Sequence, residues 1–119
     1  MPKIRVGIRL RPAEASDADE ERSARVSPPC TVITNDRQKF DFDIAYSESC
    51  TQTDVYSYFG KSLLKSAIDG VNSTLLTFGR TGSGKTFSLV GFGEEQGIIP
   101  VFCNDLFTSA EDINRKNGE

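Results

Sequence analysis

The sequence predicts an α/β fold built around a glycine-rich turn that joins a strand to a helix. Three observations predict it. Residues 79–86 read Gly-Arg-Thr-Gly-Ser-Gly-Lys-Thr, which fits the pattern G-x-x-x-x-G-K-[ST]. The stretch before them, 73–78 (STLLTF), is rich in β-branched, apolar and aromatic side chains and reads as a buried strand. Residues 39–78 as a whole read strand, helix, strand, the order of a right-handed parallel crossover.

Each element has a local reason. Residues 3–10 alternate, with Ile4, Val6, Ile8 and Leu10 on one face and Arg5, Gly7 and Arg9 on the other, a strand pattern that Pro12 ends. Residues 13–22 are small and acidic and read as a solvated loop. Residues 25–34 can hold short strands interrupted by Pro28 and Pro29, and Asn35 with Asp36 reads as a hairpin turn. Residues 39–44 (KFDFDI) alternate again. Thr51 and Asp54 form the [ST]-x-x-[DE] start of a helix whose apolar stripe is Val55, Phe59, Leu63, Leu64 and Ala67. Gly70 stops that helix. Beyond the loop, residues 85–90 suit a short helix, which Gly91, Gly93 and Gly97 interrupt. Helical spacing resumes at Ile98, Ile99, Phe102 and Leu106. Residues 111–119 form a polar tail, expected to be disordered.

The fixed positions of the octapeptide have a chemical logic. Glycines allow successive backbone N–H groups to turn inward around anionic oxygens. Gly79, Arg80, Thr81, Gly82, Ser83 and Gly84 would form such a phosphate cradle. Lys85 can reach the outer phosphates as a point charge, and the Thr86 hydroxyl can ligate a Mg²⁺ ion bridging them. A helix starting near Gly84 would aim its positive end at the same anion.

Composition excludes several classes. The chain has 119 residues, room for one small domain, and its 37% hydrophobic and 26% charged residues are ordinary for a globular protein. A net charge of −3 provides no basic field for nucleic acid or an anionic membrane. No apolar run approaches the ~18–20 residues that span a bilayer. The three cysteines, Cys30, Cys50 and Cys103, are scattered and the chain has no histidine, which argues against a zinc site. An odd cysteine count without a signal peptide favours a reducing, cytosolic compartment.

Six short motifs around the loop carry a resemblance to a family. They are R-x-R-P at Arg9, Leu10, Arg11 and Pro12; F-x-F-D at residues 40–43; and T-Q-x-x-V-Y at residues 51–56. The others are G-x-N-S-T at residues 70–74, G-I-I-P at residues 97–100 and D-L-F at residues 105–107. In this order around the loop, they resemble the N-terminal part of the kinesin motor domain from residue 4 to about residue 107. The resemblance implies a P-loop NTPase fold, a mostly parallel or mixed sheet flanked by helices, with residues 1–119 as the N-terminal part of one motor domain. It implies ATP with Mg²⁺ as ligands and microtubules (tubulin) as partner, with a cytoplasmic, cytoskeletal location. It places the adenine against Arg9, Arg11 and Pro12 on one side and Phe87 on the other. Arg80 stands where kinesins usually carry Gln, and Phe87 where Tyr or His is commoner. Phe87 keeps the stacking face and loses the polar handle.

Phosphoryl transfer also needs an acidic residue on Mg²⁺ and a group that positions the attacking water. The family's N-x-x-S-S-R-S-H and D-L-A-G-S-E motifs occur nowhere in the sequence, so no catalytic set is complete. The family's main microtubule-binding elements, which follow those motifs, are missing too. The family also inserts a strand from late in the motor between the first strand and the loop strand. The chain is therefore expected to form an incomplete sheet with exposed apolar edges. Two functional readings stand side by side. One is the ATP-binding part of a microtubule motor; the other is a nucleotide-binding or interaction fragment without turnover. A different P-loop enzyme, such as a small-molecule kinase, would need an arginine-bearing lid and an Asp-terminated strand, and the sequence offers neither.

Overall fold

The computed structural model describes residues 4–12 and 23–118. The predicted acidic loop over 13–22 lies outside the described residues, as do the first three residues and Glu119. The chain divides after Cys50 into two compact units.

In the first unit, strand β1 (Gly7–Arg9) pairs in parallel with β5 (Ile44–Tyr46), Gly7 opposite Ile44 and Arg9 opposite Tyr46. The ladder extends one residue each way, since Asp43 N–H donates to Val6 O at 2.9 Å and Leu10 N–H to Tyr46 O at 3.0 Å. The strand expected over 3–10 is shorter, and burial does not alternate along it: Ile4, Arg5 and Val6 are exposed, and Gly7, Ile8, Arg9 and Leu10 are all half-buried. Strands β2 (Ala24–Ser27), β3 (Thr31–Thr34) and β4 (Lys39–Asp41) form a second, antiparallel sheet. Its register aligns Val26, Val32 and Phe40 in one cross-strand row, with Val32 buried. Thr31 faces Asp41 and donates its hydroxyl to that carboxylate at 2.6 Å.

The hairpin turn expected at Asn35 and Asp36 joins β3 to β4. Arg37 N–H donates to Thr34 O at 2.9 Å, and the Thr34 hydroxyl donates to the Asp36 carboxylate. The single strand predicted over 39–44 is two strands, because the chain changes partners in the middle. Phe42 N–H donates to Cys30 O, and the next residue, Asp43, bonds Val6 through both its N–H and its carboxylate. The carbonyls of Pro29 and Cys30 thus hold the start of β5, which brings the buried Ala45 and Tyr46 beside the β2–β3 turn.

The second unit begins with a long helix in three parts: α1 (Gln52–Val55), a π turn (Tyr56–Gly60) and α2 (Lys61–Ile68). The predicted capping box is formed. The Thr51 hydroxyl accepts from Asp54 N–H at 3.1 Å, and the Asp54 carboxylate accepts from Thr51 N–H at 2.8 Å. The predicted stop is formed too. Gly70, at φ +76°, donates to Ala67 O, and Val71 N–H donates to Ser66 O, the paired bonds of a Schellman cap.

Two expectations are corrected here. Residues 73–78 form no strand: among the described residues no backbone pairs with them, and Leu76 and Phe78 are 84% and 103% exposed. A strand requires a neighbour to take its N–H and C=O groups, and apolar composition alone does not supply one. The parallel crossover read from 39–78 is therefore not made, and the parallel pair is β1 with β5 instead. The polar stretch from residue 111 is helical as far as Lys116, as the end of α4 (Ile98–Lys116). That helix follows α3 (Lys85–Leu89) and a small hairpin of β6 (Gly91–Phe92) and β7 (Glu95–Gln96). The architecture is an α/β fold with mixed parallel and antiparallel pairing, its sheets incomplete.

Candidate functional site

The glycine-rich octapeptide folds back on its own beginning. Ser83 N–H donates to Arg80 O at 3.0 Å, closing a turn. Gly82 and Gly84 take φ of +82° and +98°, the left-handed region that a side chain disfavours. Gly84 is the N-cap of α3, so the helix starts one residue after it, at Lys85. A Cβ at Gly79 would lie 2.5 Å from Ser83 Oγ and 3.8 Å from Lys85 Cγ. A side chain at the first position would therefore have to displace the hydroxyl of the fifth, Ser83. Arg80, Thr81, Gly82, Ser83 and Thr86 are exposed; Gly79, Gly84 and Lys85 are half-buried.

Behind the loop, α3 is held at both ends of its length. Ser88 N–H donates to Gly84 O and Val90 N–H to Thr86 O. Gln52, the first residue of α1, donates its side-chain amide to the Phe87 carbonyl at 2.6 Å. The Phe87 ring stacks on Phe92, centroids 6.0 Å apart and planes 27° apart. The β6–β7 hairpin that carries Phe92 turns through Gly93, the only one of its two central residues with positive φ. It is pressed onto the end of α3. A Cβ at Gly91 would meet Glu95 O of the hairpin's own opposite strand at 2.0 Å, while one at Gly97 would meet the Leu89 carbonyl carbon and oxygen at 2.5 and 2.6 Å. Gly97 N–H donates to Val90 O at 3.0 Å in the same contact. Pro100 then sits in the first turn of α4, where a missing N–H is harmless.

The two long helices are joined by a buried hydroxyl. Tyr56 donates to the Asp105 carboxylate at 2.7 Å. Burial raises the Tyr56 phenol well above its ordinary value, and the hydrogen bond and negative charge of Asp105 push the same way. The Tyr56 ring lies against Gly60, where a Cβ would come within 2.1 Å of it, so the glycine in the π turn makes room for the ring. Asp105, the first residue of the D-L-F motif, is in the middle of α4 and bonded to Tyr56.

The predicted phosphate-side residues and Phe87 thus form one continuous stretch in the second unit. Arg9, Arg11 and Pro12 belong to the first unit: Arg9 closes β1, Arg9 and Arg11 are half-buried, and Pro12 is exposed. Gln52, Tyr56, Phe92 and Asp105 were not among the residues that composition or spacing selected for the site. Gln52 is followed by Phe87 only after 35 residues and Tyr56 by Asp105 only after 49, distances at which no local periodicity links two positions.

Comparison with known proteins places the chain. A family model described as the kinesin motor domain matches residues 9–119. The kinesin-like protein KIN-7I of Oryza sativa subsp. japonica is 37% identical over 112 residues, 94% of this chain and 9% of that protein. Kinesin-related protein 1 of Dictyostelium discoideum is 31% identical over 142 residues, 98% of this chain and 6% of that protein. Kinesin-like protein KIF28P of Homo sapiens is 50% identical over 64 residues, 54% of this chain and 7% of that protein. The chain thus spans less than a tenth of the length of each of these relatives. With a matching family model over nearly its whole length, the chain belongs to the kinesin motor domain family.

Proposed function

We propose that the chain is the nucleotide-binding part of a kinesin-type microtubule motor, one domain over residues 1–119. Gly79, Arg80, Thr81, Gly82, Ser83 and Gly84 cradle the phosphates of ATP, and Lys85 balances the outer two. Arg9, Arg11, Pro12 and Phe87 serve the adenine. The observation that carries this reading is the closed loop itself. Positive φ at Gly82 and Gly84, with a turn from Arg80 to Ser83, leads directly into α3. Among the described residues, no group of three or more His, Cys, Asp or Glu gathers as a metal site. A Mg²⁺ ion would accordingly arrive with the phosphates, and the exposed Thr86 at the start of α3 would give it a hydroxyl. When bound, that ion supplies charge neutralisation between the phosphates.

A second reading, nucleotide binding without turnover, is favoured by the side chains present. The sequence has neither of the two switch motifs, and Asp105 is engaged by Tyr56. Within the family, microtubules are the partner and the cytoskeleton the location, and the proposal extends both to the protein that carries this chain.

Calorimetric titration with Mg·ATP tests the site. Lys85→Ala should weaken binding by about tenfold or more, consistent with loss of a charge-assisted contact. Equal affinity of the two proteins would remove the phosphate-loop reading. ATP turnover with microtubules present separates the two functional readings, because the second requires binding and no stimulated hydrolysis.

A further inference from the structure

We propose that Gln52, Tyr56 and Asp105 are positioning residues for the phosphate loop. Three hydrogen bonds join the helical segments behind the loop into a closed triangle, and the triangle fixes where Lys85 and Thr86 begin. The proposal rests on the phosphate-loop reading above and gives that site a support drawn from two helices outside the loop.

The sides of the triangle are the start of the long first helix, α3 and α4. Gln52 donates its side-chain amide to the Phe87 carbonyl at 2.6 Å, which pins the first helix to α3. Gly97 N–H donates to Val90 O at 3.0 Å, which pins the end of α3 to the start of α4. Tyr56 donates to the Asp105 carboxylate at 2.7 Å, which pins α4 back to the first helix. Gln52 and Tyr56 lie about one helical turn apart, ~6 Å, and Gly97 and Asp105 about two turns, ~12 Å. An element held at one point can pivot, whereas three bars pinned at their corners cannot shear.

Each corner is built to hold. Gln52 is the first residue of a helix whose start is fixed by the reciprocal Thr51–Asp54 bonds. A Cβ on Gly97 would lie 2.6 Å from Val90 N, so the two backbones meet there with no space for a side chain, and the adjoining Ile98 is buried. Tyr56 is buried as well, so its hydroxyl would be costly to leave without an acceptor. Joining two helices needs only apolar contact, along which they can slide; a directional bond from a buried hydroxyl sets their rotation and register. The triangle reaches the loop through α3. Val90, which accepts at the α3–α4 corner, donates its N–H to Thr86 O at 2.8 Å, and Ser88, next to the Gln52 pin, donates to Gly84 O at 3.0 Å. Both pins are thus one short step from the residues that would meet the outer phosphates and Mg²⁺, whose side chains reach only as well as their starting points are placed.

The test measures Mg·ATP binding to the 119-residue chain by calorimetry, at a temperature where circular dichroism shows each variant folded, so that lost stability alone leaves affinity unchanged. Tyr56→Phe, Asp105→Leu and Gln52→Glu, which keeps its shape and loses the donor, should each weaken binding by about fivefold, the net worth of one hydrogen bond. Asp105→Asn, which keeps an acceptor for Tyr56, should stay within about twofold. Tyr56→Phe combined with Asp105→Leu should be no weaker than either alone, because the same bond is removed in all three. The Ser88 and Val90 amides should exchange about tenfold faster in Tyr56→Phe, while those at 108–113 keep their rates. Full affinity in folded Tyr56→Phe and Gln52→Glu would overturn the triangle, as would equal losses in Asp105→Asn and Asp105→Leu. If Tyr56→Phe does not fold, Gln52→Glu decides. Lys85→Ala separates this proposal from the reading beneath it. No effect there removes the phosphate loop and the triangle together; a strong effect beside full affinity in the triangle variants removes the triangle alone.

Discussion

Two stretches that adjoin at Gly70 are both rich in apolar residues and have opposite fates. The helix from Gln52 to Ile68 buries Val55 and Tyr56 and half-buries Phe59, Leu63 and Leu64. The stretch 71–78 leaves Val71, Leu76 and Phe78 in solvent and forms no backbone ladder. The difference lies in where each obtains its hydrogen bonds. A helix takes them from residues four positions away, so a capped helix is complete once its own sequence is present. A strand takes them from another segment, so it remains unmade until that segment arrives. Apolar composition is common to both and decides neither.

The largest contrast should appear in amide exchange. Amides at 73–78 should exchange at near-unprotected rates, while those at 62–68 and 102–113 are slower by about a hundredfold or more. Comparable protection in the two stretches would break the comparison. Next is Gly97→Val, which puts a side chain into the Leu89 carbonyl at the α3–α4 junction. It should cost about 3 kcal/mol in a denaturant titration followed by circular dichroism.

Tyr56→Phe should cost about 2 kcal/mol, since it removes a hydrogen bond to a carboxylate and leaves Asp105 without its hydroxyl. The same residue makes a pH prediction. The folded phenol is raised above its ordinary 10.0, so the unfolded phenol ionises first. This contribution is complete below about pH 10 and is lost as pH rises beyond it. Stability measured at pH 8 and pH 10.5 should fall more in the unaltered chain than in Tyr56→Phe. The smallest effect on stability is expected at Phe78→Ser, within about 0.5 kcal/mol because the ring is already in solvent. Sedimentation should nonetheless show less self-association, as an exposed apolar edge is removed. A large loss of stability there would mean that 73–78 already has a partner.

The same contrast explains what could be read from the amino-acid order. The Thr51–Asp54 cap, the Gly70 stop, the turn at residues 35–36, the left-handed glycines of the loop and the helix after Gly97 each depend on residues within a few positions. All were readable. The strand over 73–78 and the division of 39–44 between two partners depend on distant neighbours, and sequence patterns carry no record of those. In the candidate site, the octapeptide was readable as a glycine-rich turn leading into a helix that starts near Gly84. The Gln52–Phe87 and Tyr56–Asp105 bonds were not, although all four residues lie in or next to quoted motifs, because nothing in a motif says which other motif it touches. The helical tail to Lys116 was misread because polar composition was taken as disorder. The residues there extend an existing helix and need not nucleate one.

The π turn at Tyr56–Gly60 has a consequence for spacing. Val55, Phe59, Leu63 and Ala67 recur every four residues, whereas a regular helix turns every 3.6. Each step of four overshoots by about 40°, so three steps would carry the row about 120° around the axis. A π turn absorbs roughly one additional residue and rotates the second half of the row back toward the first. It acts as a phase corrector between two helical halves, and Ala67, the last of the row and exposed, marks where the correction runs out. With one of the five deleted, a regular helix would run straight through and keep Leu63 and Leu64 near their present angle to Val55, so the additional residue is an insertion that the turn absorbs.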